Sequence, residues 1–254
     1  MLKWRCAALT DVGCQRQKNE DNYYISPNER VYVVADGMGG ALGGAKASSL
    51  AVEAIEAKFK SQAPSYADME LVKAWIENSI SAANEEIYNQ SEKDASYKGM
   101  GTTVVVGVVV DNDSLLIGHV GDSRAYLVRN KKHRLLTNDH SVVQEMVRAG
   151  RLTEEQARIN PYKNLITRCL GHDEKVEIDF NPVALEPNDW IIICSDGLTT
   201  VLLDEQIARI VSKHHDPNEL AKELVEETRA GGAPDNVTVV VVNYFDESHE
   251  NGKK

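Results

Sequence analysis

The run "VYVVADGMGG" (31–40) carries five strand-like residues into Asp36 and then into Gly37, Gly39 and Gly40. The arrangement recurs. "CSDGL" ends a second apolar run on Asp196, and "HVGDSR" sets Asp122 in a turn after a third. "GGAPDNVTVVVV" puts Asp235 just before a fourth, and "QRQKNEDNYY" brings Glu20 and Asp21 to the start of another. A single Asp-Gly is an ordinary turn, with the aspartate bonding its own backbone. Repeated at strand ends, such carboxylates gather at one edge, where they repel one another and lose hydration. Cations among them would let them stay ionised together. Oxygen-rich, sulfur-free donors at open positions favour Mg²⁺ or Mn²⁺ over Zn²⁺. The glycines would let backbone carbonyls or metal-bound waters approach.

The elements that must position these groups are legible in the hydrophobic pattern. Strand-like runs rich in Val, Ile, Thr and Tyr cover Trp4–Leu9, Asn22–Ile25, Val31–Ala35, 102–110, 114–120, 124–130, 175–180, 189–195 and 236–244. Short connections at Asp111-Asn112-Asp113 and Val120–Ser123 predict antiparallel hairpins. Apolar residues at helical spacing predict two helix pairs, Ala45–Lys60 with Met69–Gln90 and Asp204–Lys213 with Pro217–Arg229. Helix pairs between blocks of antiparallel strands imply an α+β domain over residues 1–246, a β-sandwich of two sheets with a helix pair outside each. The segment 141–173 is too long for a hairpin loop and reads as short helices, with Thr153 and Gln156 spaced as a capping box. It is expected to be a lid or recognition flap. The tail 247–254 is expected to fray.

Composition narrows the partners. The 254 residues carry a formal net charge of −11, with 42% hydrophobic and 26% charged residues. That is ordinary for a globular domain and poorly suited to nucleic acid or an anionic membrane. No apolar stretch approaches the roughly 20 residues of a membrane span, and Met1–Cys6 lacks the pattern of a signal peptide. Cys6, Cys14, Cys169 and Cys194 show no C-x-x-C pairing, so reduced thiols in a cytoplasmic protein are expected.

In chain order, "NED", "VVADGMGG", "GTT", "HVGDSR", "LTNDHS", "CSDGL" and "GGAPDN" resemble the type 2C metal-dependent protein serine/threonine phosphatases, most of all compact bacterial members. The likeness runs from about residue 10 to residue 243. It implies two Mg²⁺ or Mn²⁺ ions bridged by Asp36, with the Gly37 carbonyl, Asp196 and Asp235 as further ligands. Asp21 would hold metal-bound water, and a third ion would sit at Asp122 and Asp196. It implies that hydroxide shared by two ions attacks phosphorus in line with the departing seryl or threonyl oxygen. Arg16 would grip the phosphate with its planar fork. Met38 stands where many eukaryotic relatives carry a histidine, and Ala41 where some bacterial relatives do, so the resemblance leaves the leaving group's proton donor open; a metal-bound water would serve if a general acid is needed. The implied partners are phosphoproteins made by a Ser/Thr kinase, met by a monomer. Asp36, Asp196 and Asp235 are all present, which disfavours a pseudophosphatase that only binds phosphoproteins. Residues 36–44 lack the Lys-Ser/Thr of a P-loop and the dinucleotide glycine pattern, which disfavours a nucleotide-binding enzyme.

Overall fold

The computed structural model describes residues 2–246; the tail expected to fray, 247–254, lies outside them. The chain begins with β1 (Leu2–Asp11), β2 (Asp21–Ile25) and β3 (Val31–Met38), followed by the helices α1 (Gly40–Ser61) and α2 (Met69–Lys93). A short β4 (Gly101–Thr102) precedes β5 (Val104–Val110), β6 (Ser114–Val120), β7 (Arg124–Arg129) and β8 (Lys132–Leu135). Two short helices follow, α3 (Val142–Arg148) and α4 (Glu154–Arg158), then β9 (Asp179–Ala184) and β10 (Trp190–Cys194). The chain ends through α5 (Asp196–Val201), α6 (Asp204–Val211), α7 (Pro217–Ala230) and β11 (Val237–Asp246).

The strands form two antiparallel sheets, β1-β11-β10-β7-β8 and β2-β3-β5-β6-β9, with β4 paired to β3. Period-two alternation builds the layers. In β3, Val31, Val33 and Ala35 pack against α1 and α2, while Tyr32 and Val34 face the other sheet. In β10, Trp190, Ile192 and Cys194 face α5–α7, while Ile191 and Ile193 face the sheet interface. The interiors of β3 and β10 are therefore apolar on both faces, and each fully buried Val or Ile contributes about 1.5–3 kcal/mol. The expected helix–sheet–sheet–helix layering is what the chain adopts.

Three local expectations change. The turn at Val120–Ser123 is not a hairpin: β6 pairs with β5 and β9, whereas β7 pairs with β10 and β8 in the opposite sheet. Gly121, at φ +105°, turns the chain between layers where a side chain would be strained. The strand expected at 175–180 lies at Asp179–Ala184 instead and runs through Pro182. It is tolerated because β9 is an edge strand bonded only to β6, where a missing N–H costs least. Finally, 132–135 adds β8 through a two-residue turn with Asn130 and Lys131 both at positive φ, the geometry that matches strand twist.

The flap segment carries α3 and α4, and Thr153 caps α4 with the reciprocal Gln156 bond expected of a capping box. Its two ends meet at a short neck, where Ser141 bridges Ile166 and the Thr167 N–H donates to the His140 carbonyl at 2.7 Å.

Candidate active site

Loops from both sheets open onto one cleft of about 310 Å³, lined by Arg16, Asp36, Gly37, Asp122, Asp196 and Asp235 together with Glu20 and the flap residues Asn164 and Ile166. Asp36 lies in β3, beyond the last core valine of that strand. Its N–H donates to Thr103 Oγ1 at 3.1 Å, and its carbonyl accepts from the Thr103 N–H and the Thr102 hydroxyl. The main chain that presents the carboxylate is thus held from β4 and the start of β5. Asp196 opens α5 where β10 ends, and Asp122 sits at the corner between β6 and β7.

Asp21 is set back from the cleft. It is buried opposite Asp36 in the β2–β3 register, and its Oδ2 accepts from Ser195 Oγ at 2.7 Å. Asp235 receives Arg16 Nη2 at 2.6 Å and its own neighbour's N–H, Asn236, at 2.8 Å. Asn236 in turn ties down the loop that carries Arg16, donating to the carbonyls of Val12 and Lys18 and accepting from the Glu20 N–H.

The glycines answer to the protein's own backbone. A Cβ on Gly37 would lie 2.1 Å from the Gly44 carbonyl oxygen of α1, and one on Gly197 would lie 1.8 Å from that of Asn236. Their missing side chains let α1 and the Asn236 loop pack directly behind the two aspartates.

The electrostatics of this arrangement are costly. Burial first, then the charges of Asp21, Asp196, Asp122 and Asp235, push the Asp36 carboxyl well above the usual carboxylate range. Burial, then Asp196 and Asp139, do the same to Asp122. Asp21 and Asp196 are each pushed up to about 6, burial again being the largest cause. The Asp196 charge is among those that raise Asp36, so the two carboxyls are not comfortably ionised together unless a cation intervenes. Asp21 Oδ1 is buried without a partner. An all-oxygen donor set with unmet negative charge fits a hard divalent cation. Arg16 is drawn down by burial, but Asp235 outweighs that and holds the guanidinium firmly charged.

A second grouping has the composition of a metal site but a different occupant. His119, His140 and Asp179 bring ligand-type atoms within 4.8 Å of one another. Arg168 places Nη1 2.7 Å from Asp179 Oδ1 and 3.1 Å from His140 Nε2, so a cation already fills it. His119 is a buried histidine, with Nε2 at the Asn138 backbone. His140 bonds structurally to Gly121, as its place in the "DHS" stretch suggests. Sequence reasoning left Glu20 without a role in the cleft and did not bring Arg168 and Asp179 together with His140; only pairing across the fold reveals them.

The family model for Protein phosphatase 2C matches residues 10–237, and the chain belongs to that family. It is therefore an enzyme of the protein serine/threonine phosphatase class, and the family is metal-dependent. Among its relatives, the serine/threonine phosphatase stp of Listeria monocytogenes is 36% identical over 236 residues, 92% of this chain and 93% of that protein. The S. agalactiae serine/threonine phosphatase structure superposes with a TM-score of 0.87 at 34% identity, covering 94% of this chain and 99% of that one. The catalytic domain of the serine/threonine protein phosphatase PstP, solved in complex with two manganese ions, gives a TM-score of 0.85 at 36% identity, covering 97% and 100%. Its substrates are accordingly phosphoproteins.

Proposed function

We propose that this protein hydrolyses phosphoserine and phosphothreonine esters in proteins with two or three Mg²⁺ or Mn²⁺ ions held at the cleft, within one catalytic domain spanning residues 1–246. The observation that carries the reading is the set of half-buried carboxylates gathered at the cleft, whose mutual repulsion and burial outweigh the nearby guanidinium groups of Arg16 and Arg124. Asp36, Asp196, Asp235 and the Gly37 carbonyl are the ligands of the paired ions, Asp21 supports from behind, and Asp122 with Asp196 holds a looser ion. Bound there, the ions supply hydroxide at neutral pH and screen the negative charge of the phosphoryl group.

The chain's own residues do the rest. Asp36 and Asp196 would hold cations between them, and so could both stay ionised. Arg16 is half exposed, and its ion pair with Asp235 contributes at most about 1 kcal/mol. Such a weak pair is readily given up. With Asp235 engaged by a cation, the guanidinium would be free to grip two phosphate oxygens. Asn164 and Ile166 border the cleft from the flap, where a substrate's flanking residues would pass.

The setting we infer is a cytoplasmic monomer reversing a Ser/Thr kinase, with neither nucleic acid nor membrane as partner. The net charge of −11 and the four free cysteines support this. The test is hydrolysis of an aryl phosphate and of phosphothreonine peptides. Activity should require Mn²⁺ or Mg²⁺, stop with EDTA and ignore okadaic-type inhibitors. Metal-independent turnover, or peptide binding without phosphate release, would overturn the reading.

A further inference from the structure

His140 stands where three parts of the fold meet. Its N–H donates to the Gly121 carbonyl at 3.0 Å, and its Nδ1 accepts from the Gly121 N–H, also at 3.0 Å. It therefore grips both polar groups of the residue before Asp122. On the other side of Asp122, Ser123 Oγ lies 2.7 Å from Thr103 Oγ1, the same hydroxyl that holds the Asp36 N–H. Asp122 is suspended between these two anchors. Through its carbonyl, His140 also closes the neck of the flap on Thr167.

What orients His140 lies outside the cleft. With Nδ1 committed as an acceptor, the neutral imidazole carries its proton on Nε2. That nitrogen lies 3.4 Å from Asp179 Oδ2 and 3.1 Å from Arg168 Nη1. Arg168, on the returning chain of the flap, donates to the other oxygen, Asp179 Oδ1, at 2.7 Å. It also donates to the Glu177 carbonyl at 3.3 Å. Asp179 on β9 thus holds Arg168 from one end of the flap, and both lie against the imidazole of His140 at the other end. His119, opposite Asp179 in the β6–β9 register, stacks on His140 with ring centroids 4.9 Å apart.

Energetically this clasp is a modest contributor, because Arg168 and Asp179 are each about a third exposed, at 29% and 32%. Its geometric leverage is larger. We propose that Arg168 and Asp179 are positioning residues for the phosphatase reaction: acting through His140, they fix the Asp122 corner and the flap's neck as one unit against the cleft. The proposal rests on the reading of the cleft given above. Outer partners that orient an active group typically cost ten- to a hundredfold when removed, and small misplacements at a reacting centre act on a similar scale.

The test uses the full chain and compares Arg168→Ala, Asp179→Ala and Arg168→Lys with wild type on p-nitrophenyl phosphate. Thermal melting and Mn²⁺ binding, followed by the paramagnetic resonance of free Mn²⁺, run alongside. Both alanine variants should lose ten- to a hundredfold in kcat with KM changed less than threefold and melting lowered by only a few degrees. The weakest class of Mn²⁺ should bind at least threefold more weakly while tighter ions remain, and Arg168→Lys should recover part of the kcat. Arg168→Ala combined with Asp122→Ala should be no slower than Asp122→Ala alone. An unchanged kcat in Arg168→Ala beside an active wild type would overturn the positioning role alone. So would Arg168→Lys matching Arg168→Ala with melting and all metal binding lost in proportion. A wild-type protein inert with Mn²⁺ would instead overturn the reading of the cleft.

Discussion

Asp21 and Asp36 stand directly opposite each other in the antiparallel β2–β3 ladder. Like charges in that relation destabilise a sheet, and here both are withdrawn from water with Asp196 beside them. The cost tells what the protein is built to hold. A carboxyl whose folded pKa lies above its unfolded value stabilises the fold below the unfolded pKa, and that stability is lost as pH rises through the folded value. For Asp21 and Asp196 the window runs from about 4 up to about 6. Metal-free protein should therefore lose Tm as these groups ionise, while Mn²⁺ removes the repulsion. The Tm gap between Mn²⁺-loaded and EDTA-treated samples is expected to widen from pH 5 to pH 7.5. His119 and His140, both lowered chiefly by burial, act in the opposite direction but equally in both samples and cancel from the gap. Scanning fluorimetry across that range checks it, and a gap that narrows with pH refutes the account.

Replacing Asp36 by Asn keeps the shape and removes the most crowded charge. Activity should fall at least a thousandfold, since the residue proposed to bridge the ions is lost. Metal-free stability should rise, by about 1–3 kcal/mol from relieved repulsion, with Tm moving roughly 3 °C for each kcal/mol in a chain of this size. Activity near wild type, or a fall in metal-free Tm, would count against the assignment.

Arg16→Ala removes a grip on the substrate and little else. A hydrogen bond to a charged group is worth about 1.5–3 kcal/mol, so KM for a phosphothreonine peptide should rise about ten- to a hundredfold with kcat within a few-fold. Tm should move by no more than about 2 °C, because the pair with Asp235 is half exposed. Steady-state kinetics decide this, and an unaltered KM takes Arg16 out of the site.

Gly37→Ala tests the close packing behind the cleft. The added Cβ would meet the Gly44 carbonyl at 2.1 Å and the Glu20 carbonyl at 2.6 Å, both backbone atoms that cannot swing aside. Overpacking of this kind costs about 1–3 kcal/mol or more, so the variant should melt at least 5 °C lower or fail to accumulate as soluble protein. A wild-type Tm would show that α1 can retreat from β3.

The layered fold was legible because its cause is local and periodic. Alternation in β3 and β10 writes both faces of each strand into adjacent residues, and helical spacing such as Leu50, Ala54 and Ile55 marks the face that covers them. β8 escaped because its residues are mostly exposed and polar, so no apolar run announces it. Val120–Ser123 misled because a four-residue link has the same length whether it closes a hairpin or crosses between sheets.

Residue type and spacing alone determined that aspartates stand at the strand ends, that nothing soft accompanies them, and that a long capped insertion lies between strands. Only the tertiary structure decided which carboxylates share the cleft wall and which, like Asp21, stand behind it. It also decided that Gly37 and Gly197 make room for backbone, and that Arg168 meets His140 over Asp179. The physical reason is sequence separation. Side chains far apart in the chain are brought together by strand register and sheet packing, which no local pattern encodes, whereas the tendency of each segment to be strand, helix or turn is set by its neighbours.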